Sequence, residues 1–158
     1  MARCALAAAV LLVAAPGCST DPPSGARPTA STLDVIYVID GDTVVVSGRQ
    51  HVRLIGIDTP ERGQCGYDAA TRSLQRLVLH QRVRLLAPPG ESDTDRYRRL
   101  LRYVVVRGRD AGLAQVEAGY AVARYDSRDG YPAHPRERRY RDAARTAQAR
   151  HTAVVSCG

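Results

Sequence analysis

The chain has 158 residues, 44% of them hydrophobic, which is enough for the core of one domain, and a single fold unit is expected. Its formal charge is +7 and its pI about 9.7, with all 23 basic residues Arg and no Lys, so polyanions or anionic surfaces are the partners that its charge favours. Its aromatic residues are 8 Tyr, without Phe or Trp.

Residues 1–17 carry Arg3 as their only charge, then an apolar run from Ala5 to Ala15, then Pro16-Gly17-Cys18. The run is too short to span a bilayer but has the length of a signal-peptide core, so residues 1–17 read as an export signal. Small residues before Cys18 resemble a lipoprotein cleavage box, which leaves two outcomes open: a lipidated Cys18 that tethers the protein to a membrane, or simple secretion. A buried N-terminal helix is the bland alternative. Residues 18–31, rich in Pro, Ser and Thr, read as a flexible linker, and 32–158 as the folded domain. Cys4 lies within the signal, so an exported protein with a modified Cys18 retains Cys65 and Cys157 as an even pair; one disulfide is expected, two free thiols being the alternative. Neither cysteine has the neighbours of a zinc site.

Strands are expected at 33–39, 43–46 and 51–57, where β-branched residues recur between the turn signals Asp40-Gly41 and Ser47-Gly48. A helix is expected over 67–80, because Ala70, Leu74, Leu77 and Val78 fall on one face and Asp68 sits in its first turn. Strands follow at 81–87 and 100–106, with Arg107-Gly108-Arg109-Asp110 as a reversing turn. A short helix over 111–117 is stopped by Gly119. A last helix starts near Pro135, with Tyr140, Ala143, Ala144 and Ala147 on one side and arginines elsewhere. Strands first, one helix between and two after suit an α+β domain.

The chemistry gathers between Val38 and Glu61. Three short runs stand out in order: Asp40-Gly41-Asp42-Thr43, then Arg53-Leu54-Ile55-Gly56-Ile57-Asp58-Thr59-Pro60-Glu61, then Asp95-Arg96-Tyr97-Arg98-Arg99. Acids beside an arginine suit a hard cation and a phosphate, since Ca²⁺ and Mg²⁺ take oxygen ligands and a guanidinium grips phosphate with two prongs. The first run is not an EF-hand, because Val44, Val45 and His51 occupy its fifth, sixth and twelfth positions. Each run is weak alone; the three in order resemble the thermonuclease, or staphylococcal nuclease-like, family.

That resemblance implies an OB-type small antiparallel β-barrel with three helices packed on it, a monomer, and Ca²⁺-dependent hydrolysis of DNA and RNA that leaves 3′-phosphates. It also implies roles. Asp42 and Asp58 would bind Ca²⁺ through carboxylates and Thr59 through its backbone carbonyl. Glu61 would activate or orient the attacking water, while Arg53 and Arg99 would hold the phosphate. Arg96, Tyr97 and Tyr125 would lie near the bound nucleotide. Two departures stand out: the loop from Glu61 to Cys65 is short, and Arg98 stands where the family usually has Gly, so that Arg98 competes with Arg99 for the clamp. Strand parity adds a difficulty, since Arg53 and Asp58 would point to opposite faces of an unbroken strand unless Gly56 permits a bulge. The competing function is a surface-tethered nucleic-acid-binding module of the same fold without turnover. An anionic-envelope or polyphosphate binder is a third, which explains the charge but not the acids.

Overall fold

A computed structural model describes residues 30–90 and 92–150; the expected signal, most of the linker and Cys157 lie outside them. The strands are β1 (Ala30–Val38), β2 (Thr43–Val46), β3 (Gln50–Leu54), β4 (Ile57–Asp58), β5 (Arg82–Leu86), β6 (Leu100–Val106), β7 (Arg109–Asp110) and β8 (Val122–Ala123). The α-helices are α1 (Tyr67–Val78), α2 (Ala111–Glu117) and α3 (Glu137–Ala149).

Five strands close on themselves as a barrel. The long β1 is shared: its first half pairs with β5 (Ala30 opposite Leu86, Asp34 opposite Arg82) and its second with β2 (Val38 opposite Val44). An irregularity between Val35 and Tyr37 bends the strand where it passes from one partner to the other. β2 continues to β3 and β5 to β6, all antiparallel. Closure is the one departure from the all-antiparallel expectation: β3 and β6 run parallel, with Val52 opposite Leu100 and Arg53 opposite Leu101. The barrel is therefore mixed, and Arg53 is fixed at the seam.

Because the barrel is small, its interior takes Val and Leu in place of large aromatics. Val35, Val38, Val44, Val46, Val52, Leu54, Val83, Leu85 and Val104 are all buried. Each such side chain contributes about 1.5–3 kcal/mol relative to exposure. Gln81 is outside β5, and the segment expected at 51–57 is two strands separated by a turn at Ile55-Gly56.

α1 buries Ala70, Ser73, Leu74 and Val78, close to the stripe expected, with Leu77 at its edge. α2 is short but buried from Ala111 to Val116, packed between α1, α3 and β6. Asp110 caps it by accepting from the Leu113 N–H at 3.2 Å. α3 turns Tyr140 and Ala147 inward. Close approach of α3 to α2 depends on Gly112, where a Cβ would stand 3.0 Å from the Tyr140 hydroxyl. No described helix is long and apolar enough to cross a membrane.

Candidate active site

Three segments supply the site: the loop after β1, the turn after β3 and the loop before β6. In the first, Asp40 Oδ1 accepts from the Asp42 N–H at 3.0 Å, a local turn that delivers Asp42 into the protein rather than outward. Gly41 lies at the bottom of that turn, where a Cβ would come within 2.7 Å of Ala70 and 2.8 Å of Thr59 Oγ1. Its carbonyl accepts from Gln115 Nε2 at 2.8 Å, and the same amide nitrogen reaches the Ala70 carbonyl at 2.9 Å, so α2 anchors the loop to α1.

The Asp42 carboxylate is only 6% exposed and both its oxygens are occupied. Oδ1 accepts from Thr43 Oγ1 at 3.0 Å and faces Arg53 Nε at 3.1 Å. Oδ2 accepts from the Thr59 N–H at 3.1 Å and Thr59 Oγ1 at 2.9 Å. Burial nevertheless raises its pKa from 3.8 to about 6, with Asp40 adding repulsion and Arg53 and the two threonines opposing.

Arg53 ties Asp42 of the first motif to Asp58 of the second. Its Nη2 lies 3.4 Å from Asp58 Oδ1 and donates to the Ile57 carbonyl at 2.9 Å, while Nη1 donates to the Leu54 carbonyl at 2.5 Å. The parity difficulty disappears at Gly56, whose φ of +76° turns the chain between β3 and β4 so that Asp58 swings back to the Arg53 side. Only glycine fits there, because a Cβ would lie 2.7 Å from the His134 ring and 3.1 Å from Tyr140. His134 is itself buried and fixed by Tyr103, whose hydroxyl is 2.7 Å from His134 Nδ1; burial lowers its pKa and favours the neutral imidazole.

β4 pairs with β8, and the chain that follows β8 brings Tyr125 over the acids. The Tyr125 hydroxyl donates to Asp58 Oδ1 at 3.1 Å, and its ring lies 5.6 Å from the Arg53 guanidinium carbon. Burial, and then the Asp58 charge, raise the pKa of the phenol, which therefore stays a donor. Tyr125 has φ of +59°, an unfavourable conformation for a non-glycine residue. The turn is held by Asp129 Oδ2, which accepts from the Tyr125 N–H at 2.8 Å, and by Asp126, whose two oxygens take Arg141 of α3 at 2.6 and 2.7 Å.

The third motif supplies Arg99. Asp95 accepts from the Arg99 N–H at 3.0 Å and from its Nε at 2.7 Å, which aims the guanidinium so that Nη1 reaches Thr43 Oγ1 at 3.4 Å. Thr43 thus bridges Asp42 and Arg99. Arg98 is exposed at φ of +61°, the left-handed conformation for which glycine is suited, and it makes no side-chain hydrogen bond or ion pair among the described residues. Of the two competing arginines it is Arg99 that reaches the acid cluster. Tyr97 is 64% exposed and lies between Arg96 and Arg99, whose guanidinium carbons are 4.8 and 5.3 Å from its ring centre. Arg96 Nη2 also donates to the Tyr97 hydroxyl at 2.7 Å. Arg96 and Tyr97 therefore stand outside the acid cluster as an exposed stack.

Glu61 is exposed, and its carboxylate makes no hydrogen bond or ion pair among the described residues. Its backbone is fixed: the Glu61 N–H donates to Gln64 Oε1 at 2.7 Å and its carbonyl accepts from the Gln64 N–H at 2.9 Å. Cys65, just beyond, is disulfide-bonded; the other cysteines, Cys157 included, lie outside the described residues.

A buried carboxylate, a second carboxylate on the same guanidinium, and an arginine delivered by a distant loop make a cluster suited to phosphate chemistry. Residues 51–154 match the model of the family described as staphylococcal nuclease homologue. The chain belongs to that family. The match contains Arg53, Asp58, Glu61, Arg99 and Tyr125 and begins after Asp42. Among curated relatives, Protein ParB of Escherichia coli is 34% identical over 135 residues, covering 78% of this chain and 68% of that protein. Thermonuclease of Staphylococcus hyicus is 38% identical over 82 residues, 46% of this chain and 47% of its own. Micrococcal nuclease of Shigella flexneri is 39% identical over 74 residues, 45% of this chain and 40% of its own. The chain thus spans about two thirds of the first relative and less than half of the other two.

The donors present fit a hard cation. Asp58 is only partly buried, and its Oδ2 accepts no hydrogen bond among the described residues, so one carboxylate oxygen is open on the acid that shares Arg53 with Asp42. No group of three or more His, Cys, Asp or Glu is arranged to hold a metal among the described residues, so the protein would contribute two carboxylates and the Thr59 carbonyl. Waters and a substrate phosphate would complete the six to eight oxygens that Ca²⁺ takes.

Three participants had no role assigned from sequence. Thr43 and Asp95 sit inside the quoted motifs, but nothing in the pattern distinguishes a hydroxyl that bridges two loops from a turn residue. Gln115 is fully buried in α2 and had no signal beyond an amide on an otherwise apolar helix.

Proposed function

We propose that the chain is an exported Ca²⁺-dependent nuclease that hydrolyses phosphodiester bonds of DNA and RNA and leaves 3′-phosphates. The observation that carries the reading is the convergence of Asp42, Arg53 and Asp58 with Arg99 through Thr43. A bound Ca²⁺ would offset the two carboxylates and polarise a phosphate oxygen. Arg53 would serve mainly to set the spacing of Asp42 and Asp58, because Nη1 and Nη2 already donate to the Leu54 and Ile57 carbonyls and to Asp58 Oδ1, and Nε faces Asp42. Arg99 is better supplied for the phosphate: Nε and one Nη1 N–H are engaged, which leaves three donors for oxygens that gain charge as phosphorus becomes five-coordinate. Glu61, exposed and unpartnered, would accept the proton of the attacking water. Tyr125 would hold Asp58 in place, and the Arg96–Tyr97 stack would meet the neighbouring nucleotide.

Export is supported by the apolar run at 5–15 and by a disulfide at Cys65, since disulfides persist in oxidising compartments. A tether through lipidated Cys18 is part of the proposal; mass spectrometry of native protein should show loss of residues 1–17 and a lipid-sized addition, and an intact Met1 would overturn export.

The binder without turnover is favoured by one observation, that both Nη atoms of Arg53 donate to protein oxygens. Incubation of the purified chain with denatured DNA and with RNA separates the two readings. The nuclease reading expects cleavage with Ca²⁺, none with chelator, and ends that a 3′-phosphatase converts to hydroxyls. Folded protein that binds both polymers and cleaves neither with Ca²⁺ would overturn it and leave the binder.

A further inference from the structure

At the far end of β6 from Arg99, a second cationic feature has no part in the chemistry above. An open cavity of about 640 Å³ is lined by Arg84 of β5, Arg107 of the β6–β7 turn, Arg109 of β7, and Arg136 and Arg139 at the start of α3. Two acids, Asp110 and Glu117, share it. Asp110 is fully used: Arg136 Nη1 lies 2.5 Å from its Oδ2, the Tyr140 hydroxyl donates to the same oxygen at 2.8 Å, and its Oδ1 caps α2. Glu117 lies 3.8 Å from Arg109. Three guanidinium groups therefore face the cavity with no carboxylate partner. Arg84 and Arg139 make no side-chain hydrogen bond or ion pair among the described residues, and Arg107 donates only to the neutral Gln81 Oε1 at 2.7 Å.

The three come from separate elements, so the convergence is a property of the fold and not of one charged run. Arg107 is held there against preference. Val106 pairs with Arg109, so Arg107-Gly108 is a two-residue hairpin, and both residues have positive φ, 49° and 78°. Such turns favour Asn or Asp followed by Gly. An arginine in that position costs stability and adds a charge to the cavity.

We propose that this cavity is a second phosphate-binding site, which takes the backbone of a nucleic-acid strand whose scissile bond lies at the acid cluster; the proposal rests on the nuclease reading for the identity of the strand. β6 sets the separation. From Arg99 to Arg107 is eight residues of strand, about 25 Å at roughly 3.3 Å each. At the roughly 3.4 Å per nucleotide of a stacked strand, a substrate needs at most about eight nucleotides to engage both places, and an extended single strand, whose rise is larger, needs about half as many. Guanidinium groups suit the task, since each offers a planar fork to phosphate oxygens.

The test compares the wild type with the variant Arg84→Ala, Arg107→Gly, Arg139→Ala, in which glycine fits the positive φ at 107 and no residue of the acid cluster changes. Binding of single-stranded oligonucleotides of about two and about twenty nucleotides is measured in chelator, without turnover, as a function of salt. For the longer strand, loss of three phosphate contacts should lower the slope of log affinity against log salt by about 2, so that the affinity lost on raising salt fourfold is roughly 15- to 20-fold less than in wild type. The shorter strand should bind both proteins alike, and its Ca²⁺-dependent cleavage should be unchanged. An unaltered slope for the long strand in the folded variant would overturn the proposal. So would saturation of the cavity by pyrophosphate, seen as a wild-type-only thermal shift, that the long strand fails to displace; that result would mean a small-anion site. Absence of cleavage by wild type with Ca²⁺ would overturn the nuclease reading alone, because the binding comparison needs no turnover.

Discussion

Replacing Gly56 with Ala tests whether the turn between β3 and β4 is what brings Asp58 to Arg53. Two costs add. A left-handed backbone disfavours an L-residue by about 1–2 kcal/mol, and Gly56 sits at φ of +76°. The new methyl would also stand 2.7 Å from His134 Cε1 and Nε2 and 3.1 Å from Tyr140 Cδ2. The His134 ring cannot yield cheaply, because it is buried, packed edge-on against Tyr140 and held by the Tyr103 hydroxyl, so overpacking adds about 1–3 kcal/mol. A stiffer unfolded chain returns about 0.4–1 kcal/mol. The net loss is about 1–4.5 kcal/mol, a large part of the roughly 5–15 kcal/mol that holds a domain together. Urea unfolding followed by circular dichroism should show a lower midpoint at an unchanged slope. In the cycle with His134→Ala the two changes should couple by about 1–3 kcal/mol, since removal of the ring removes the clash but not the backbone strain. A loss below about 0.5 kcal/mol for Gly56→Ala, or additivity with His134→Ala, would refute the account of this turn.

Glu61→Gln removes the proposed proton acceptor from an exposed position, so cleavage should fall by roughly 10²- to 10⁴-fold while oligonucleotide binding is unchanged or slightly tighter, as steady-state rates and titration would show. Arg99→Ala should reduce kcat by roughly 10²- to 10³-fold. Arg98→Gly should leave cleavage unchanged and raise stability by about 0.5–1 kcal/mol through relief of its left-handed backbone; the reverse pattern of rates would move the phosphate clamp to Arg98. Arg141→Ala leaves the buried Asp126 carboxylate without its two-pronged partner and should cost roughly 2–4 kcal/mol. Arg141 holds the Asp126 pKa below its ordinary 3.8, so the stabilisation is present above that value and is lost as pH falls through the lower folded value; the urea midpoint of the variant should therefore change less over the acid range than that of wild type.

What the sequence made legible was local. The strand 43–46 and the helix 111–117 match the observed bounds because alternation, turn residues and the Gly119 stop are all written within a few residues of each element. The motif residues were legible for the same reason: Asp42, Arg53, Asp58 and Arg99 could be named before any distance was known. Their mutual arrangement was not. Arg53 meets Asp42 because β3 pairs with β2, and Arg99 meets Thr43 because β6 closes the barrel beside β3, and both are pairings between segments that no local period encodes. The parallel sense of that closure has no signature in a sequence whose other barrel strands are antiparallel.

The loop that carries Tyr125 shows why part of the site stayed hidden. Nothing local favours a tyrosine at φ of +59°; the conformation persists because Asp126 and Asp129 are gripped by Arg141, 15 and 12 residues further on in α3. Seen as a sequence, Arg141 is one more arginine on a charged helix, whereas in the fold its side chain is the rigid support through which α3 reaches Tyr125, and through Tyr125 the Asp58 carboxylate. Loss of Arg141 should therefore do more than destabilise. Arg141→Ala, assayed well below its unfolding transition, should weaken the response to Ca²⁺, because Asp58 loses the hydroxyl that orients it, and Tyr125→Phe should reproduce that effect without the loss of stability. An Arg141→Ala protein with an unchanged Ca²⁺ dependence would show that the loop and the acid cluster are held independently.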